Sequence, residues 1–194
     1  CRAASYGWWA PYDRNEPNTV ALFHMDEGTG SVSYGSNPVK VNAYRLMVTS
    51  DGNTTANWAS ARTESFGACL DFNGVSGQSG ASVPEPNENL GITGQGTVEF
   101  WLSPNAMANG NSVIAQVSPE SWQIRLTEQG KIWAGYRSAS GWGSPLISEE
   151  SIEPAQWHHV AFNRSIRPAA DPGHCNIEAS IFINGTLAGR SEHA

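Results

Sequence analysis

Four side chains between positions 123 and 142 have the types and spacing needed to hold a sugar. Trp142 follows Gly141 and precedes Gly143, and an exposed ring in such a segment can stack on the apolar face of a pyranose. Gln123, Arg125 and Tyr136 supply hydrogen-bonding groups, and the first two share one face of a predicted strand. We predict these four as ligand-binding residues; the alternative is that Trp142 packs on the domain's own rim or against a protein neighbour.

A second candidate site is the acidic turn at residues 26–30. Calcium takes six to eight oxygen ligands, many of them carboxylates and backbone carbonyls. Asp26 and Glu27 offer carboxylates, and the Gly-Thr-Gly sequence after them offers a flexible turn. The prediction is a structural calcium ion held by Asp26 and Glu27, and the alternative is an ordinary solvated turn. Zinc is not expected at His158 and His159, because neighbouring strand residues point to opposite faces.

These residues lie in a chain patterned as many short strands. Alternating aromatic and β-branched segments separated by turn residues predict an all-β, antiparallel two-sheet sandwich. Glu128-Gln129-Gly130 and Asn184-Gly185 are the predicted hairpin turns, and residues 85–93 and 148–153 are the segments open to a helical turn. Trp101 and Trp157, in the strongest strands, are predicted core residues. Predicted strands cover residues 19–25, 68–72, 81–84, 96–102, 112–117, 122–126, 131–136, 157–163 and 177–184.

The order of these segments resembles that of the laminin-G-like, concanavalin-A-type jelly rolls. The resemblance extends over about residues 18–190 and rests on five stretches, at residues 20–30, 66–74, 97–104, 157–161 and 181–187. It implies a jelly-roll domain over residues 18–194, preceded by an arm at residues 1–17. Family members usually continue past the turn that matches Asn184-Gly185, so we expect either a fragment or a sandwich completed by a neighbouring chain. Tyr34 stands where the family often has an Asp.

The sequence carries no pattern typical of catalysis. Glycosidases of this broad fold bear Glu-x-Asp-x-x-Glu on one strand, which brings two carboxylates close together, and that pattern is missing. Glu149, Glu150 and Glu153 fall in a predicted loop, and Glu99 stands without a nearby carboxylate on its strand. There is also no Gly-x-Ser-x-Gly motif or phosphate-binding loop. We predict that the protein is not an enzyme.

Charge and composition exclude other classes. The formal net charge of −7, with 11 Lys plus Arg, argues against nucleic-acid binding, and no apolar run approaches the roughly 20 residues that span a bilayer. Cys1 would suit the lipid anchor of a bacterial lipoprotein, or it is a chance boundary or a pairing cysteine. A Cys1–Cys175 disulfide is compatible with secretion and would leave Cys69, predicted as a buried thiol, free. Asn53, Asn163 and Asn184 begin glycosylation sequons.

The leading interpretation is a non-catalytic recognition module at the cell surface or outside the cell, which binds carbohydrate or an extracellular protein. The alternative belongs to another class: a structural subunit of an extracellular assembly or homo-oligomer, with its sandwich completed by a neighbouring chain. Burial of Trp8 and Trp9 between chains would favour the second function, whereas an exposed Trp142 in a groove would favour the first.

Overall fold

The computed structural model describes residues 20–25, 27–36, 44–49, 57–60, 67–72, 80–83, 95–107, 112–117, 122–138, 141–142, 144–168 and 175–193. The described residues form antiparallel strands and no helix, which confirms the all-β prediction and is consistent with a jelly-roll sandwich. The chain divides into two compact units, Cys1–Leu90 and Gly91–Ala194. The predicted arm at residues 1–17 lies outside the described residues, so its boundary stays a prediction.

The first unit contains a four-stranded sheet in the order β1-β2-β3-β6 and a two-stranded pair, β4-β5. The predicted first strand shortens to two residues, and Phe23 pairs with Gly35 across it. The Phe23 ring covers that glycine so closely that a Cβ there would lie 2.5 Å from a ring carbon. The strands are β1 (Leu22–Phe23), β2 (Val32–Ser36), β3 (Tyr44–Thr49), β4 (Asn57–Ser60), β5 (Ala68–Asp71) and β6 (Gly80–Ser82).

The second unit contains two larger sheets. A four-stranded sheet has the order β15-β14-β13-β7, and a five-stranded sheet has the order β11-β10-β9-β8, with β12 also paired to β10. The strands are β7 (Gly96–Leu102), β8 (Ser112–Val117), β9 (Trp122–Leu126), β10 (Lys131–Ser138), β11 (Gly141–Trp142), β12 (Leu146–Ser151), β13 (His158–Pro168), β14 (Cys175–Ile183) and β15 (Thr186–His193).

The two sheets of the second unit share one hydrophobic core, because each strand presents every second side chain to it. Ile124 and Ile132 from the five-stranded sheet, and Val160 and Ile181 from the four-stranded sheet, are fully buried. The rest of this cluster is Trp122, Leu126, Ala134, Leu146, Ile152, Phe162, Ala179, Ile183 and Ala188. This arrangement fixes which residues lie on the outer face of each sheet.

Both predicted hairpin turns are present in this unit. Asn184 and Gly185 have φ values of +52° and +81°, and two successive positive φ values are typical of a type I′ turn between twisted strands. The backbone N–H of Ile152 donates to the carbonyl of Gly130 at 2.8 Å, which ties the other turn to the chain beyond β12. One local prediction is wrong: residues 148–151 belong to strand β12 and not to a helical turn, so Glu149 and Glu150 lie on a strand and not in a loop.

Candidate functional site

The β9–β10 hairpin sets the geometry of the candidate site. Gly130 has a φ of +74°, and the Thr127 N–H donates to the Lys131 carbonyl at 2.9 Å to close the turn. The resulting register places Trp133 opposite Arg125 and Gly135 opposite Gln123. Because the alternating residues of β9 belong to the core cluster, these four positions lie on the outer face of the five-stranded sheet.

A chain of hydrogen bonds orients the polar side chains on this face. Gln123 Nε2 donates to Gln116 Oε1 at 2.7 Å, and Arg125 Nε donates to Gln123 Oε1 at 2.6 Å. Gln123 is only 5% exposed, so its amide is held between fixed partners with little access to water. Two of the sequence-predicted ligand-binding residues, Gln123 and Arg125, are therefore brought into direct contact.

An aromatic platform completes the face. The indole of Trp133 lies across Gly135, where a Cβ would come within 2.6 Å of the ring edge. The guanidinium carbon of Arg125 lies 4.6 Å from the centroid of the Trp133 ring, a distance typical of a cation–π contact. Gln116, Gln123, Arg125 and Trp133 are called the Arg125 face below. The exposed side chains of Val113 and Ile147 occupy the neighbouring positions across the sheet.

The other two predicted ligand-binding residues are placed differently. Tyr136 lies on the core side of β10, opposite Trp122, and its ring stacks at 4.9 Å against the guanidinium of the buried Arg164. The structure therefore does not bring Tyr136 onto the Arg125 face. The backbone of Trp142 pairs with Arg137 at the end of β10, but its side chain lies outside the described part of the structure, so its role stays a prediction.

Trp133 belongs to this face but is not among the predicted ligand-binding residues. A signal was present, since the Glu128-Gln129-Gly130 turn fixes the register of β10 against β9. Counting outward along both strands from that turn pairs Trp133 with Arg125. The glycine two residues after Trp133 leaves room for a large ring.

The outer face of the four-stranded sheet has a different character. Trp101 was predicted to be a core residue, and this is wrong: its side chain is 38% exposed. The reason is that successive residues of a strand point to opposite faces of the sheet. Trp101 pairs with His159 on the outer face, whereas its neighbours Phe100 and Leu102 pack against the core. The rings of Trp101 and His159 are 5.1 Å apart, and Nε2 of His159 lies 3.6 Å from Oε2 of Glu99.

The two adjacent histidines point to opposite faces, as predicted, and His158 is buried. Its Nδ1 lies 3.3 Å from Asn184 Nδ2 and its Nε2 lies 3.1 Å from the Glu153 carbonyl. Asn184 Oδ1 accepts the His159 backbone N–H at 3.0 Å, so its amide nitrogen faces His158. The Glu153 backbone N–H also lies 3.2 Å from Nε2 of His158, so both ring nitrogens are within hydrogen-bond distance of a partner. The arrangement ties the β14–β15 turn to the start of β13.

The predicted calcium turn is only partly described. Asp26 lies outside the described residues, and the side chain of Glu27 is half-buried. Gly28 and Gly30 adopt positive φ values of +70° and +84°, and the Gly30 carbonyl accepts the Trp58 indole N–H at 2.9 Å. Among the described residues, no group of three or more His, Cys, Asp or Glu side chains is placed to hold a metal ion. Calcium binding by Asp26 and Glu27 therefore stays a prediction.

Cys69 is a free thiol on strand β5. It is half-buried and donates to the Ser60 carbonyl at 3.4 Å. Burial raises the pKa of the Cys69 thiol, and the nearby Asp71 carboxylate raises this pKa further. The thiol is therefore protonated near neutral pH and is a weak nucleophile, and it behaves as a small packing residue.

Residues 75–194 match the model of the concanavalin A-like lectin/glucanases superfamily, of the laminin-G type. This match covers more than half of the chain, so the chain belongs to that superfamily, as the sequence resemblance predicted. The match includes the whole Arg125 face. No curated protein and no solved structure matches the chain.

Membership has consequences for the class of function. Domains of this type act as carbohydrate- or protein-binding modules, are generally non-catalytic and are usually found outside the cell. In the described part of the chain, no helix is both long enough and apolar enough to cross a membrane.

Proposed function

We propose that this chain is a non-catalytic, extracellular carbohydrate-recognition module that binds its ligand on the Arg125 face. The observation that carries the proposal is the hydrogen-bonded series from Gln116 through Gln123 to Arg125, which is packed against Trp133. This series lies on a regular sheet and not on a loop. A site of this kind needs little reorganisation when a ligand binds.

The chemistry of the face suits a saccharide better than an apolar ligand. Sugar-binding sites combine an aromatic or planar surface with a few fixed polar groups, and the Arg125 face supplies both. Arg125 and Trp133 are half-buried residues, so neither is closed off from a ligand. Val113 and Ile147, which are 48% and 47% exposed, provide apolar surface at the edges.

Glu99 and Glu178, two carboxylates of the four-stranded sheet, are engaged in ion pairs, which favours a binding role over a hydrolytic one. Glycoside hydrolysis needs two carboxyl groups about 5–9 Å apart across the scissile bond. Glu99 is paired with His159, and Glu178 is paired with Arg167 and Arg190. In these positions the carboxylates serve structural contacts on the four-stranded sheet.

A glycan array followed by calorimetry on the best ligand tests this proposal. We expect Trp133→Ala to weaken binding by about tenfold or more, since a stacked aromatic and the guanidinium it supports are both lost. Trp101→Ala is the matched control, because it removes the same side chain from the outer face of the other sheet, and we expect less than about a twofold change. Equal losses for both variants, or a loss confined to Trp101→Ala, would place the ligand elsewhere.

One observation favours the alternative, a structural subunit. Among the described strands, β7 and β15 each pair on one side only, so the four-stranded sheet has two edges. An unpaired edge can accept a strand from another chain, and Leu187 beside one edge is 49% exposed. Light scattering of the native protein distinguishes the two functions, because strand addition requires a defined oligomer, whereas recognition of a sugar is compatible with a monomer.

A further inference from the structure

The cations of the second unit differ in what surrounds them. Arg167 lies 3.3 Å from Glu178, and Arg190 lies 2.9 Å from both Glu178 and Glu192. Arg125 takes part in none of the ion pairs formed by the described residues, and its partners there are the amide of Gln123 and the ring of Trp133. Within the described part of the chain, no carboxylate therefore forms an ion pair with this guanidinium.

The hydrogen bond from Arg125 Nε determines which part of the guanidinium remains for a ligand. Nε is occupied by Gln123 Oε1 at 2.6 Å, so the donors left over are those of the two terminal nitrogens. Two parallel N–H groups at the end of a guanidinium match a pair of anionic oxygens on a carboxylate or sulfate. The described face thus presents a fork of donors with no anion of its own.

The Gln123 amide contacts Arg125 through its oxygen only when the amide is turned in one of its two orientations. Its Nε2 donates to Gln116 Oε1 at 2.7 Å, which turns its own oxygen toward Arg125. A glutamate would make the same contact to Arg125 but would also neutralise it. A buried glutamine orients the arginine and preserves its charge, which is the arrangement expected of a receptor for an external anion.

The Trp133 ring supports the same conclusion. A neutral pyranose would stack on an open indole face, but the guanidinium of Arg125 lies over the Trp133 ring, 4.6 Å from its centroid. A ligand approaching this ring therefore meets a cation. A desolvated guanidinium over an aromatic ring attracts an anionic group more strongly than a hydroxyl group.

We infer that the saccharide bound on the Arg125 face carries an acidic group, a carboxylate or a sulfate ester, which pairs with the terminal nitrogens of Arg125. This inference rests on the proposed function and specifies its ligand class. The formal net charge of −7 repels polyanions in general, so selective binding of an acidic sugar requires a local site of this kind.

Calorimetry with matched oligosaccharides tests the inference. One pair is an oligogalacturonate and the same oligomer with its carboxyl groups reduced to alcohols; the other is a sulfated oligosaccharide and its desulfated form. We expect the acidic member of at least one pair to bind about tenfold or more tightly than its neutral counterpart, and the preferred pair identifies the acidic group. Arg125→Ala should abolish this preference, and Arg125→Lys should restore only part of it, because a lysine lacks the planar fork.

Arg167→Ala is the control, since it removes the same charge from an exposed position on the other sheet, and it should leave the preference unchanged. Equal affinity for the acidic and neutral members would overturn the inference while leaving carbohydrate recognition intact. Equal affinity for poly-glutamate and the acidic sugar would overturn it as well, since bare charge attraction would then explain binding. Binding of no oligosaccharide, either here or on the glycan array, would reject the proposed function itself.

Discussion

The outer faces of the two sheets in the second unit differ in the groups that contact their arginine side chains. On the four-stranded sheet, Arg167 and Arg190 share Glu178, so opposite charges lie within the same face. On the five-stranded sheet, Arg125 is held by Gln123 and Trp133, which are neutral. The described arginines of the first face are paired with carboxylates, whereas no described carboxylate pairs with Arg125 on the second.

The arginines of the two faces therefore differ in their partners more than in their exposure. The Arg190 side chain is 46% exposed, and its Nη2 still lies 2.9 Å from two carboxylates. Arg125 is half-buried, which is a costlier environment for an unpaired charge. A protein that maintains such a charge on a rigid sheet gains little stability from it, and recognition of an anion is a physical reason to maintain it.

The largest expected effect is on the free energy of unfolding, when the turn glycine of each sheet's hairpin, Gly130 or Gly185, is replaced by alanine. Gly130 combines a φ of +74° with a backbone oxygen, that of Ile152, 2.8 Å from where a Cβ would lie. Gly185 has a similar φ, +81°, but nothing within 4 Å of that position. Gly130→Ala should lower the free energy of unfolding by about 2–4 kcal/mol, since steric overlap adds to left-handed strain. Gly185→Ala should cost about 1–2 kcal/mol.

Urea unfolding of both variants measures these costs. Gly130→Ala should also weaken ligand binding, because the β9–β10 register places Trp133 opposite Arg125. Equal destabilisation by the two substitutions would show that the Gly130 turn adapts freely, and that it does not rigidly define the Arg125 face.

A smaller effect is expected when the Arg125 face is made to resemble the other face. Gln123→Glu would place a carboxylate against Arg125 Nε, which Gln123 Oε1 now contacts at 2.6 Å. We expect about a tenfold loss of affinity for the acidic oligosaccharide, because Arg125 would become an ion-paired residue like Arg190. Calorimetry measures this loss, and thermal melting establishes that the variant is folded.

Gln129→Glu provides the control for that experiment. It makes the same chemical change and the same change in net charge in the exposed turn that joins the two strands. Affinity should change by less than about twofold, since an exposed charge is screened by salt. If both substitutions weakened binding equally, overall charge and not the charge of Arg125 would determine affinity.

The smallest effect is expected when the four-stranded sheet is made to resemble the Arg125 face. Glu178→Gln removes the carboxylate shared by Arg167 and Arg190. Arg167 and Arg190 are 65% and 46% exposed, so water screens both pairs although Glu178 is only 13% exposed, and the free energy of unfolding should fall by only about 1 kcal/mol in thermal or urea unfolding. In addition, no second site for the acidic oligosaccharide should appear, because neither arginine gains a cradle like that of Gln123 and Trp133. A second site in calorimetry would show that an unpaired arginine is sufficient by itself.

Much of this fold could be predicted from local sequence. The alternation in residues 122–126 was enough to place Gln123 and Arg125 on one face, away from Ile124, and both hairpin turns were recognisable from Gly130 and Asn184-Gly185. Side-chain period and turn chemistry are local properties, so they are set by a few adjacent residues. The same reasoning placed His158 and His159 on opposite faces.

Other features depended on which strands became neighbours. Period two shows which residues share a face, but only the position of the second sheet decides which face is buried. Trp101 was therefore assigned to the core although it lies outside, and Tyr136 was grouped with Arg125 although its ring packs against Arg164 on the core side. Glu149 and Glu150 were assigned to a loop because their strand, β12, is defined by its pairing with β10.

The sequence by itself determined the strands, the turns and the shared face of Gln123 and Arg125. Only the tertiary structure decided that Trp133 lies beneath Arg125, that Gln116 orients Gln123, and that no described carboxylate reaches the guanidinium. The physical reason is that these contacts join residues on three different strands. The groups that surround the Arg125 guanidinium are therefore known only once the sheet is assembled, because each strand contributes only one part of them.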